Sequence, residues 1–297
     1  MTDSRAAAHG SADSVDPARR RVAFVGGGNM GAALVRGLRD KGWPTDHLRV
    51  LEVREERRRW LETELGVVAS ERPSAVLAGA DAVILAVKPQ QLPKVAPGLP
   101  IPAGALVVSI AAGVRTGNLR LWLGPDPWIV RCMPNTPALV GAGAAALYTG
   151  HRTPEAARSL AEALLGSVGT CCWVEQEAQL DVVTALSGSG PAYFFALAEA
   201  MQKAATALGL PAATAAALAR QTLVGAGQLV AAEAAPIGVL RERVTSKGGT
   251  TAAALQALAD AGFGLHVAAA VGAAAERSAE LGNAAAAPAG GHADASS

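Results

Sequence analysis

Two stretches of the 297-residue chain carry residue types whose spacing could do chemistry. The late one, 244–251, reads VTSKGGTT and stands just before an Ala/Leu helical run. Gly248 and Gly249 make a tight turn with free backbone N–H groups. The helix behind them adds its own unpaired N–H groups and the positive end of its dipole. Such a place holds a small anion, a carboxylate for example. The hydroxyls of Thr245, Ser246, Thr250 and Thr251 can donate to a second group on the same ligand. An ordinary polar loop with a Ser/Thr cap would use the same residue types. The early stretch, Gly26-Gly27-Gly28-Asn29-Met30-Gly31, has the G-x-G-x-x-G spacing that brings a backbone up to a pyrophosphate.

Each turn needs elements to position it. Residues 21–25 read as a short strand and the Ala/Leu/Val run to about residue 40 as a helix, so the early glycines lie in the strand–turn–helix context that the motif requires. Gly26 permits the turn, Gly28 admits the pyrophosphate, and Gly31 lets the helix pack close on the strand. With Asn29 and Met30, which open the helix, they are the first candidate cofactor-binding residues. A second strand over 47–53 places Glu52 where the adenosine ribose is read. A carboxylate there bonds both ribose hydroxyls of NAD and repels the 2′-phosphate of NADP. Arg54, Arg57, Arg58 and Arg59 lie just beyond and can instead attract that phosphate, or form a solvated helix face.

Residues 81–87 form a continuous apolar run, as a parallel strand buried on both faces should. In a doubly wound sheet the ligand crosses the carboxyl ends of the strands, so Val87, Lys88 and Pro89 should border the cofactor. Strands over 105–110 and 128–133 end on the same edge. Two closing strands, 143–148 and 170–174, flank a helix over 154–165. From about residue 175 strand patterns vanish, and helices are expected near 177–208, 211–233, 250–260 and 262–281. Pro191 should kink the first of these. Glu177 and Asp181, four apart, read as N-terminal helix charges rather than a metal pair. His266 reads as a core or interface side chain. The Ala/Leu helices look too thin to bury themselves alone, which points to a homodimer.

Composition narrows the partners. Hydrophobic residues make up 51% and charged residues 17%, with a net charge of +1, which argues against a nucleic acid or a membrane surface. Cys132, Cys171 and Cys172 have no metal or redox spacing and read as small core residues in a reducing cytoplasm. No metal is expected. Residues 1–19 read as a disordered leader and 284–297 as a disordered tail. The expected class is α/β: an N-terminal Rossmann-type doubly wound domain over 20–174, followed by an all-α dimerisation domain over 175–283.

Taken with the P-x-x-x-L-R segment before it, VTSKGGTT resembles the signature of pyrroline-5-carboxylate reductases. AVKPQ, SIAAGV, RCMPNTP and SGSGPAYFF follow that family's order from Val22 to Thr251. Lys247 stands where the family usually has Pro, and Pro73 where it often has an Asn beside the adenine ribose. The resemblance implies hydride transfer from NADPH, or from NADH, to the C=N carbon of 1-pyrroline-5-carboxylate, giving proline. It places the nicotinamide against Ala111, Met133, Pro134 and Asn135. It gives Thr251 the catalytic contact with the ring nitrogen, and Ser246, Gly248 and Gly249 the substrate carboxylate, with Thr245 and Glu233 beside them. It also implies an interleaved dimer, with a decamer as its larger form, in which one subunit's loop completes a site beside the cofactor. Two other readings share the architecture. β-Hydroxyacid dehydrogenases and imine reductases are one, although the former use a Lys with a nearby Asn as proton donor, and the only lysines after residue 94 are Lys203 and Lys247. A nicotinamide sensor without turnover is the other.

Overall fold

Val22, Phe24 and their neighbours Ala23 and Val25 make up β1 (Val22–Val25), and all four are buried. Alternate side chains point to opposite faces, so such a strand must lie between two layers. A computed structural model of the chain describes residues 15–16, 19–150 and 152–286. It builds this strand into an eight-stranded sheet of order β3-β2-β1-β4-β5-β6-β7-β8. The others are β2 (Leu48–Leu51), β3 (Val68–Ser70), β4 (Ala82–Leu85), β5 (Leu106–Ser109), β6 (Trp128–Met133), β7 (Gly143–Thr149) and β8 (Gly169–Trp173). Pairing is parallel except between β6 and β7. The first six strands therefore have the 3-2-1-4-5-6 order of a dinucleotide fold.

One face packs Val22, Phe24 and Val50 against Leu34 and Leu38 of α1 (Asn29–Asp40), Leu61 and Leu65 of α2 (Glu55–Leu65) and, further along, Leu160 and Leu164 of a later helix. The other packs Ala23, Val25 and Val83 against Val76 and Leu77 of α3 (Pro73–Leu77), Leu92 of α4 (Leu92–Val95) and Leu119 of α5 (Thr116–Leu123). The later helix is α6 (Glu155–Leu165), which joins β7 to its parallel neighbour β8.

Beyond the sheet come α7 (Gln179–Val183), a π-helical turn (Thr184–Gly188) and α8 (Gly190–Ala207). Then follow α9 (Ala212–Ala232), α10 (Ile237–Arg243), α11 (Thr250–Asp260) and α12 (Phe263–Ala286). Two compact units emerge. One runs to Gly188 and takes back the chain from Glu276; the other is Ser189–Ala275. The compact units divide at Gly188, because α7 and the π turn pack with the sheet. In the second unit α8 and α9 pack on each other, and among its described residues only Gly190 and Ala215 are buried.

Several expectations change. β3 was not anticipated. The helix expected over 177–208 is broken: Pro191 cannot donate a backbone bond, and α8 starts afresh with it in its first turn. His266 is exposed in the single chain, so it is no core residue. Of the three thiols only Cys132 is buried; Cys172, on the outward side of edge strand β8, is exposed. The expected leader lies outside the described residues except for Val15, Asp16 and Arg19. Residues 284–286 of the expected tail belong to α12, and the rest lies outside. Among the described residues no single helix is long and apolar enough to cross a membrane.

Candidate active site

The early glycine turn joins β1 to α1. Gly26 has φ +106°, and a Cβ on it would stand 2.8 Å from the carbonyl oxygen of Ala86, so this position needs glycine. A Cβ on Gly31 would stand 2.5 Å from the Gly26 carbonyl oxygen, which fixes how near α1 comes to the turn. Gly28 is different: a Cβ there meets nothing within 4 Å. It faces a cavity of about 420 Å³ lined by Val25, Gly26, Gly28, Glu52, Arg54, Val87 and Lys88, among others. Gly28 has no side chain to cap α1, so the first amides of the helix, on Asn29 and Met30, stay available beside that space. Open space beside a helix N-terminus suits a pyrophosphate.

Glu52 does not point at this space as a free carboxylate. It is 6% exposed and accepts from the Gly27 amide at 3.2 Å, the Arg54 amide at 3.0 Å and the Arg54 guanidinium at 3.1 and 3.2 Å. Burial by itself would raise its pKa, but the Arg54 guanidinium and the two amides outweigh that and hold it below the usual carboxylate range. Arg57 donates from Nε to the Gly27 carbonyl at 2.6 Å, and its guanidinium lies 3.9 Å above the Trp60 ring. Burial, and then the Arg54 charge, lower the Arg57 pKa, which still leaves it cationic at neutral pH. Arg54, Glu56, Arg57 and Trp60 line a second concavity of about 270 Å³. The expected carboxylate is therefore neutralised locally, and two guanidiniums stand next to it.

Of the β4 ending, Val87 and Lys88 line the cavity and Pro89 does not. Gln91 and Val95 line it instead, and neither stands among the expected residues; the helical turn Pro89–Gln91 and α4 after it put them on this edge. Ala111 is buried at the end of β5. Asn135 is buried too, and both ends of its amide are occupied: Nδ2 donates to the Ser187 carbonyl at 3.0 Å and Oδ1 accepts from the Ala144 amide at 2.8 Å. A Cβ on Gly188 would come within 2.7 Å of the Met133 side-chain tip. The loop of Met133, Pro134 and Asn135 is thus seated on the π turn, and Asn135 contributes by holding it.

Glu177 and Asp181 are not solvated helix charges. Glu177 accepts from Arg131 Nη1 at 2.7 Å, the Thr116 amide at 2.7 Å and the Thr116 hydroxyl at 2.9 Å. Asp181, 7% exposed, accepts from Arg115 at 3.0 Å and from the Ser278 hydroxyl at 2.9 Å. The carboxylates turn inward because buried cations and hydroxyls there need acceptors.

In the second unit, the late turn links α10 to α11. Gly248 has φ +71°, and Gly249 begins α11 with no side-chain cap, leaving first-turn amides for a ligand. A Cβ on Gly249 would lie 2.3 Å from the Ser246 hydroxyl, so the missing side chain gives that hydroxyl its place. The Thr245 hydroxyl donates to the Arg241 carbonyl at 2.7 Å and so braces the end of α10. Glu233 pairs with Arg243, the last residue of α10. Thr251 lies half-buried in the first turn of α11, and Ser246, Lys247 and Gly248 are exposed.

Comparison with known proteins completes the picture. Residues 177–281 match the family model described as pyrroline-5-carboxylate reductase dimerisation. Residues 21–113 match one described as NADP oxidoreductase, coenzyme F420-dependent. A pyrroline-5-carboxylate reductase of Pseudomonas aeruginosa is 44% identical over 263 residues, covering 88% of this chain and 96% of its own. The solved structure of a pyrroline-5-carboxylate reductase from Coxiella burnetii superposes with a TM-score of 0.84 at 37% identity, over 88% of this chain and 98% of that one. A Plasmodium falciparum pyrroline carboxylate reductase with NADP bound gives 0.75 at 27% identity, over 89% and 98%.

Proposed function

The chain belongs to the pyrroline-5-carboxylate reductase family, and on that premise we propose how its residues share the work. The reaction is NADP-type reduction of the C=N bond of 1-pyrroline-5-carboxylate, the last step of proline biosynthesis. The bound reduced nicotinamide supplies the hydride that adds to the imine carbon. Each unit supplies one built feature that carries the division of labour: in the first, open space at Gly28 beside the start of α1; in the second, a start of α11 without a side-chain cap, next to the Ser246 hydroxyl.

Gly26, Gly28, Asn29 and Met30 hold the pyrophosphate. Val87 and Lys88 border the same cofactor, with Gln91 beside them, while Pro89 shapes the turn between. Glu52 organises the turn rather than binding ribose alone, and Arg54 and Arg57 receive the adenosine 2′-phosphate. Ala111, Met133, Pro134 and Asn135 back the nicotinamide. In the late turn the amides of Ser246, Gly248 and Gly249, with the Ser246 hydroxyl, hold the substrate carboxylate. Thr245 and Glu233 support that turn, the latter through Arg243. The Thr251 hydroxyl donates to the ring nitrogen and makes the imine carbon more electrophilic. The substrate brings its own basic nitrogen, so orientation supplies most of the rate. The chain works as a homodimer or a larger ring of dimers, and its unbridged thiols suit a reducing cytoplasm.

The test is NADPH loss, followed at ~340 nm, with 1-pyrroline-5-carboxylate. Thr251→Ala should lower turnover about 10- to 150-fold, roughly 1.5–3 kcal/mol for one bond to a nitrogen that gathers negative charge as the hydride adds, with little change in cofactor affinity. Unchanged turnover removes Thr251 from the mechanism. A wild-type chain that reduces keto acids in preference to the cyclic imine overturns the reading.

A further inference from the structure

We propose that Glu177 is a positioning residue for the hydride transfer, one carboxylate that ties together the two loops behind the nicotinamide. The proposal rests on the reading above that those loops border the cofactor. They follow neighbouring parallel strands, β5 and β6, with Ser109 opposite Arg131. The first loop ends at Thr116, where α5 begins; the second follows Met133, the last residue of β6, two residues beyond Arg131. Glu177 enters from a third place, the segment after edge strand β8.

Its two oxygens take three donors. Oε1 accepts from the Arg131 guanidinium and the Thr116 amide, both at 2.7 Å, and Oε2 accepts from the Thr116 hydroxyl at 2.9 Å. The neighbouring residue of the first loop, Arg115, is held by Asp181 one helical turn further on. Gly113 in the same loop is backed by Gly282 of α12; a Cβ on Gly113 would stand 3.3 Å from the Gly282 amide nitrogen. Arg131 is 5% exposed. An ion pair this deep adds little stability over apolar side chains of the same shape. What it does supply is a single permitted arrangement, since one planar carboxylate must meet two donors at the end of the first loop and one on β6, the strand that leads into the second. A reduced ring resting on those loops inherits that arrangement. Misplacement of a reacting ring by about 1 Å can cost about 100-fold in rate.

The experiment uses the full chain carrying Glu177→Gln, with NADPH and with NADPH deuterated at the transferred position. The amide keeps the side-chain volume but cannot accept at both ends. Turnover should fall about 10- to 100-fold. The NADPH dissociation constant, read by fluorescence, should stay within about threefold, because the glycine turn and the arginines are untouched. The primary isotope effect on kcat should rise as hydride transfer becomes rate-limiting. Thr116→Val removes one donor and leaves the Arg131 pair; it should lower kcat about 2- to 10-fold with the same rise in isotope effect. If Glu177→Gln fails to fold, Thr116→Val decides alone. Wild-type kcat in the folded variants, or a fall in kcat with an unchanged isotope effect, overturns the proposal. Wild-type chain that does not reduce the imine would instead refute the functional reading.

Discussion

Glu52 and Arg54 are two residues apart, yet together they reverse what either would mean alone. An acid at the end of β2 reads as a mark of NAD, since it repels a 2′-phosphate. Here the carboxylate is consumed by the Gly27 amide and by Arg54, whose side chain remains 65% exposed. Coulomb attraction to a phosphate then comes from Arg54 and Arg57 with little opposition. Arg54→Ala should bare the buried acid, raising the KM for NADPH about tenfold while moving that for NADH much less. Steady-state kinetics with both cofactors checks it. Equal shifts in both constants would make Arg54 a mere brace of the turn. Glu52 was legible in the sequence as an acid at the ribose position. Its neutralisation was not, because which way a carboxylate faces depends on its burial, and burial is set by the packing of α2.

At the scale of elements, the parts that announced themselves were those with a strong local signal. β1 and β4 are buried on both faces, so their apolar runs are unbroken. β3 has three residues, Val68, Ala69 and Ser70, too few for any period, and it exists because β2 offers an edge to pair with. The early turn was legible because glycine spacing is a steric requirement. Gly31→Ala should therefore push α1 off the Gly26 carbonyl, costing roughly 1–3 kcal/mol of stability and weakening NADPH binding. Thermal melting and fluorescence titration measure both; an unmoved melting point would mean that α1 can retreat freely. Asp181 sits in the first turn of α7 as a helix-end charge should, but its clamp with Glu177 carries no local signal. Its donors lie 46, 61, 66 and 97 residues away in sequence, and nothing local signals contacts at that range.

For the whole molecule, the helical unit is the part that leaves the most apolar side chain uncovered in a single chain. Phe194, Phe195 and Leu265 are 60%, 64% and 78% exposed, an apolar surface that a lone chain would leave to water. It lies within the segment that matches the family's dimerisation model, which indicates self-association. Replacing Phe194 and Phe195 together with Glu should give monomers by sedimentation and lower the melting temperature, with activity lost in parallel. A dimer that survives both charges would place the interface on other helices. One consequence of the fold reaches into protein engineering. Since α12 begins in one unit and ends in the other, the nucleotide-binding body is not a single uninterrupted stretch of sequence. Cutting the gene after codon 188 would strip Asp181 of its Ser278 donor and Gly113 of its backing. A free-standing module would need the strip from Glu276 spliced back on through a short linker.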